Sequence, residues 1–291
     1  MSSIIATNNA SVIAQSNLSG AQNALTQSVQ RLSSGLRINS AKDDAAGLGL
    51  AQRLQYQITG SSVAARNAGD AISMVQTAEG GMQEVSVMLQ RMRELATQGN
   101  NASLNDTQRG YISNEVTALG DEINKISNRT TFNGATLLDG SIATAGSSAG
   151  TFQVGAAQND TIDISGLMKD VSIGSGSGTA AMASLGTAIS TLAGSFSAVN
   201  MSALGSAVDT AIETIAGFRS SLGSMNNRLD HDIANLQVYT QSLIASKSRI
   251  IDTDYAAETA ALSKAQVLTQ AATAMLSQAN QMPNSIMSLL K

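Results

Sequence analysis

The sequence predicts a mainly α protein: a long antiparallel helical bundle or coiled coil with both termini at one end, plus a small β-hairpin region in the middle. Three observations carry that reading. Apolar residues recur at alternating three- and four-residue steps over long stretches, the spacing that keeps one seam on one helix face. A single proline, Pro283, stands in 291 residues, so the main helix breaker is nearly absent. Between two such regions the chain turns rich in Gly, Ser, Ala and Thr, from Gly140 to Gly186.

Each element follows in chain order. Leu25, Val29, Leu32 and Leu36 step by four, three and four and mark a first helix. Val85, Leu89, Met92 and Ala96 repeat the steps until Gly99-Asn100-Asn101 ends the segment, so residues 70 to 98 are expected to span about 40 Å at 1.5 Å per residue. Asn105 or Asp106 caps the next helix, whose seam is Ile112, Val116, Leu119, Ile123 and Ile126; residues 106 to 128 give about 35 Å. Thr131-Phe132-Asn133-Gly134 and Asp139-Gly140 read as the turns that end it. Thr151 to Val154 and Thr161 to Ile164 alternate apolar with polar residues and are joined by Gly155 to Asp160, which predicts a β-hairpin. The glycine-rich remainder, Gly174 to Gly178 included, reads as exposed loop. Helical spacing resumes near Met182, with gaps at Gly194 and Gly205, and runs through Leu222, Met225, Leu229, Ile233 and Leu236 to about Lys247. Ala265, Leu268, Ala272, Met275, Ala279, Met282, Ile286 and Leu289 carry it through the last segment.

Charge is distributed unevenly. Met1 to Gln30 and Ala265 to Leu290 contain no Asp, Glu, Lys or Arg, yet Ser, Thr, Asn and Gln interrupt both stretches. Such ends suit burial against a partner while the chain stays soluble, which points to assembly rather than catalysis. Much of the 43% hydrophobic content is Ala and aromatics reach only 3%, so small residues dominate, which suits long helices packed closely side by side. A net charge of −4 offers no basic face for nucleic acid phosphates. The absence of Cys excludes disulfides and thiolate metal sites. No Sec-type signal and no membrane-spanning run is visible, so export would need a machine that does not read such a signal.

Candidate chemistry is thin. His231, the one histidine, lies between Asp230 and Asp232, which point away from it on a helix, and reads as a surface residue. The adjacent carboxylates Asp43 and Asp44 do not converge on one substrate. Gly47-Leu48-Gly49 has Gln52 where a dinucleotide fingerprint needs glycine, and no strand precedes it. Ser33-Ser34-Gly35 has no activating base nearby. The twelve methionines fall mostly on apolar seams and read as packing. No enzyme, cofactor or metal is expected.

Five ordered blocks resemble bacterial flagellin: RLSSGLRINSAKDDAAGLGLA from Arg31 to Ala51, QRMRELA from Gln90 to Ala96, TFNGATLL from Thr131 to Leu138, SRIIDTDYAA from Ser248 to Ala257, and QANQMPNSIMSLLK from Gln278 to Lys291. The resemblance covers roughly residues 1–140 and 215–291. It implies a short flagellin lacking the outer variable domains, exported by the flagellar type III apparatus and polymerised into a filament that serves motility. It further implies a secreted, extracellular location, hook-junction and cap proteins as neighbours, and an export chaperone on the C-terminal helix. By motif, Gln90, Arg91, Glu94, Leu95 and Glu115 would contact Toll-like receptor 5, although the same segment reads first as an inter-subunit packing surface. A hook–filament junction protein has similar helical ends, but the Arg31 and Ser248 blocks favour flagellin. A secreted adhesin that never polymerises would be told apart by its failure to add to filament seeds.

On this reading residues 1–44 and 255–291 form a terminal helical domain, disordered in the monomer and coiled in the filament. Residues 45–254 form a helical bundle domain with a short insert at about 140–186. Leu25, Val29, Leu32, Leu36, Leu268, Met275, Leu276, Met282, Ile286 and Leu289 are the expected filament-core packing residues. An isolated amphipathic helix is marginal in water, so folding of the ends would be coupled to association.

Overall fold

The computed structural model describes residues 8–142, 150–174 and 179–289, with side chains described as far as residue 282. Part of the Gly174–Gly178 run, and the side chains of Ile286 and Leu289, lie outside the described residues. Among the described residues there are six α-helices and four short strands: α1 (Asn9–Ser34), α2 (Ala45–Gly99), α3 (Asp106–Arg129), β1 (Thr131–Phe132), β2 (Ala135–Thr136), β3 (Thr151–Gln153), β4 (Thr161–Asp163), α4 (Ala180–Gly194), α5 (Ala198–Ile251) and α6 (Tyr255–Leu289). They form two compact units, one of residues 1–58 and 241–291 and one of residues 59–240, with α2 and α5 contributing to both.

The first unit rests on the α1–α6 pair. Asn8 caps α1 by accepting from the Ser11 N–H at 3.1 Å, and Gly35 ends it in the left-handed region at φ 70°. Asn8 donates to the carbonyl of Ala279, and Arg31 faces Glu258 at 3.6 Å, so the two helices run antiparallel. Ala14, Ala21 and Ser28 are buried at seven-residue intervals, each followed four residues on by a half-buried leucine, Leu18, Leu25 and Leu32. On α6 the matching stripe is Ala265, Thr269, Ala272, Leu276 and Ala279. A seam of alternating small and large residues allows close approach of the two backbones.

A clasp of extended backbone joins the segments after α1 and after α5. Leu36 bridges Asp252, the Arg37 N–H donates to the Ile251 carbonyl at 2.6 Å, and the Thr253 N–H donates to that of Gly35 at 3.0 Å. Asp43 then accepts from the backbone of Asn39 and Ser40, and Asp44 caps α2 by accepting from the Gly47 N–H at 2.9 Å. Helix α2 therefore begins at Ala45, well before residue 70. The sequence signal is weak there because the buried positions Ala51, Ser61, Ala64 and Ala68 are small.

The second unit has one apolar core. From α2 it takes Ala68, Ala71, Val75, Ala78, Met82, Val85, Leu89, Met92 and Ala96, an unbroken run of three- and four-residue steps; Met201, Leu204, Val208, Ala211, Ile215, Leu222, Met225 and Leu229 of α5 line it in the same way. Ile112, Val116 and Ile123 of α3 and Met182, Leu185, Ile189 and Leu192 of α4 complete it. Gly205 does not interrupt α5; the break before it falls at residues 195–197. Helix α3 opens on a capping box of Asn105 and Gln108. Arg109 is 8% exposed, and its guanidinium donates to the carbonyl of Gly99 at 3.0 Å, which the end of α2 leaves without a helical partner, and to that of Asn101 at 3.1 Å in the turn that follows.

The β-hairpin of β3 and β4 pairs Phe152 with Ile162 and is held against α2 by Asn67, which donates to the Gln153 carbonyl. A second, shorter hairpin joins β1 to β2 through Asn133 and Gly134, both at positive φ. The sequence shows turns over that stretch, and Asn-Gly between strands is the hairpin signal that goes with them.

Candidate assembly surface

Helix α6 carries two apolar stripes that share the column Ala265, Ala272 and Ala279. Thr269 and Leu276 lie on one side of that column, in the stripe that faces α1. Leu268, Met275 and Met282 lie on the other and are 49%, 63% and 58% exposed. Helix α1 is built the same way, with Ala10, Ile13, Asn17, Gly20 and Ala24 beside its buried Ala14 and Ala21. Together these residues line a groove of about 730 Å³ along the pair, walled by Ile13, Leu268, Met275 and Met282 and floored by alanine. Among the described residues no charged side chain lines it. A floor of Ala and Gly lets a further helix approach closely, and the apolar walls favour its burial.

The expected packing residues therefore divide. Leu25, Leu32 and Leu276 are half-buried in the subunit's own α1–α6 seam, and Leu36 is half-buried beside the clasp. Val29, at 51% exposed, joins Leu268, Met275 and Met282 as uncovered apolar surface. The α1 wall of the groove was missed in the sequence because its small residues give little hydrophobic contrast; the 3-4 steps of Ala10, Ile13, Asn17, Gly20 and Ala24 were the available signal.

On α2 and α3, Gln90, Arg91, Glu94 and Glu115 form an exposed polar patch. The Arg91 guanidinium donates to Glu94 at 2.9 Å and to Glu115 at 2.8 Å, and these two partners, Glu94 first, raise its pKa above the ordinary arginine value. Leu95 does not belong to this patch. It is 2% exposed and points into the core, since its place beside Met92 and Ala96 puts it on the buried face of α2. His231 is exposed on α5. Among the described residues no helix is long and apolar enough to cross a membrane.

The model of the bacterial flagellin N-terminal helical region matches residues 5–143, and that of the bacterial flagellin C-terminal helical region matches residues 206–290. The chain is 35% identical to polar flagellin F of Vibrio parahaemolyticus, with all of both chains covered, and 40% identical to a flagellin of Bacillus subtilis, with 94% of this chain and 95% of that one covered. A solved structure described as a flagellar hook-associated protein of Vibrio parahaemolyticus covers 72% of this chain at TM-score 0.57 and 18% identity, a likeness of fold. Matched at both ends and along nearly its full length, this chain belongs to the flagellin family, the non-enzymatic structural subunits that form the flagellar filament for motility.

Proposed function

We propose that the subunit polymerises by laying the helices of neighbouring copies into the charge-free groove along α1 and α6. The carrying observation is the uncovered stripe of Leu268, Met275 and Met282, three large apolar side chains that no part of the subunit covers fully. Burying each contributes roughly 1.5–3 kcal/mol towards the entropy of ordering the helices that carry them, beside the burial of the α1–α6 seam and the helical hydrogen bonds. In that assembly residues 1–44 and 255–291 act as the terminal domain, and α1 and α6 reach full order only when neighbours cover them. Residues 45–254 act as the layer around it. The missing charges then have a cause: like charges stacked along a repeating, desolvated interface would repel strongly. Contacts between different faces that do not close into a ring produce an open helical filament.

The same reading assigns the finer partners. The chain is secreted through the type III apparatus and works outside the cell, beside hook-junction and cap proteins. An export chaperone covers the apolar stripe of α6 before secretion, and the Gln90, Arg91, Glu94 and Glu115 patch is the surface offered to Toll-like receptor 5. Deleting residues 1–30 or 265–291 tests the assembly. Each truncated protein is expected to stay helical and soluble but to add nothing to sonicated filament seeds in a sedimentation assay. Normal elongation by either truncation would refute it.

A further inference from the structure

We propose that Met275, with Met282 beside it, is an oxidation site that stops subunit addition: hydrogen peroxide converts the thioether to a sulfoxide in the unassembled chain, and the groove then no longer accepts its helix. The proposal rests on the assembly reading above. Among the described residues, exposure separates these two methionines from those of the core, with Met88 half-buried between the two groups. Met275 is 63% and Met282 58% exposed, whereas Met74, Met82, Met92, Met168, Met182 and Met201 are at most 2% exposed in the core of the other unit. A peroxide must reach the sulfur directly, so the buried thioethers are shielded.

The step balances without another reactant. The sulfur lone pair attacks one peroxide oxygen, a sulfur–oxygen bond forms and the oxygen–oxygen bond breaks. The sulfur loses two electrons, and the second oxygen leaves as water carrying both protons. The product is a polar, chiral group with a strong acceptor oxygen in a wall otherwise built from Ile13, Leu268 and alanines. Among the described residues Asn17 and Gln278 are the side-chain donors lining the groove. A helix seated there would bury the sulfoxide oxygen largely unpaired, which is unfavourable. Once a neighbour covers the groove, peroxide loses its access. The chain is therefore sensitive before incorporation and protected after it.

The experiment treats purified monomer and assembled filaments with hydrogen peroxide, maps methionine sulfoxide by peptide mass spectrometry, and measures elongation of untreated seeds. Met275 and Met282 are expected to oxidise in the monomer before Met74, Met82 and Met92, and more slowly in filaments. Oxidised monomer should retain its helical circular dichroism while its critical concentration for elongation rises at least tenfold. Methionine sulfoxide reductases should reverse the rise, and the double variant Met275→Leu, Met282→Leu should elongate equally with and without peroxide. Three outcomes would overturn the proposal: unchanged elongation after complete oxidation of Met275, equal oxidation rates in monomer and filament, or a double variant as sensitive as the parent. Failure of untreated monomer to elongate seeds would instead refute the assembly reading itself, and this proposal with it.

Discussion

Arg109 and Gly47 show how single residues secure helix ends here. Arg109 is buried because its guanidinium ends α2, donating to the Gly99 and Asn101 carbonyls. Arg109→Ala removes the side-chain donor from the Gly99 carbonyl and leaves that of Asn101 with the Leu104 N–H alone, and urea unfolding is expected to show a loss of about 1–3 kcal/mol. Arg109→Lys, with no fork to reach both carbonyls, should recover only part of that. At Gly47 an added Cβ would sit 2.5 Å from Asp44 Oδ2 and 2.7 Å from Ile38 Cδ1. Gly47→Ala therefore displaces the carboxylate that caps α2, and the expected loss is about 0.5–2 kcal/mol, read as a lowered urea midpoint for the unit that contains the α1–α6 pair.

At the scale of elements, the two stripes of α6 are expected to respond differently to charge. Leu268→Asp lies on the uncovered stripe, so monomer circular dichroism should stay at the parent level while seed elongation slows by more than about tenfold, because the charge must be desolvated on assembly. Leu276→Asp lies in the α1–α6 seam and should lower monomer helicity as well as elongation. Loss of helicity in Leu268→Asp equal to that in Leu276→Asp would show that the stripes are not distinct. Sequence reading recognised the apolar column of α6 but placed Leu276 with Leu268 and Met275 as one set. The apolar pattern likewise marks α2 only from residue 70, and marks the β1–β2 stretch only by its turn residues. Helix α3, with its strong cap and large branched apolar residues, was legible almost to the residue. Runs of Ala, Ser and Gly were not, since a periodicity without hydrophobic contrast is hard to see.

For the whole molecule, acid should weaken the fold through three carboxylates held below their usual pKa. Asp43 is lowered chiefly by the Ser40 hydroxyl, Glu122 by Lys125 and then Arg129, and Asp163 by Ser165. A lowered folded-state pKa contributes stability above the unfolded value, near 3.8 for Asp and 4.5 for Glu, and that contribution disappears as pH falls through the folded value. Urea midpoints are expected to be flat from neutrality to about pH 5 and to decline below it. All three groups lie near the surface, so the decline should be shallow. In the triple variant Asp43→Asn, Glu122→Gln, Asp163→Asn the slope should shrink; an unchanged slope would place the acid sensitivity elsewhere.

Apolar periodicity, capping residues and the distribution of charge belong to the chain itself, and they dictated long helices, a hairpin between them and charge-free ends. Which stripe of each end helix the subunit covers, and which it leaves for others, was decided by packing. Leu268 and Thr269, or Met275 and Leu276, are one residue apart and so differ by about 100° around the helix. Both stripes share the same alanine column and satisfy the same 3-4 spacing. Only the seating of α1 against α6 makes one of them interior and leaves the other open.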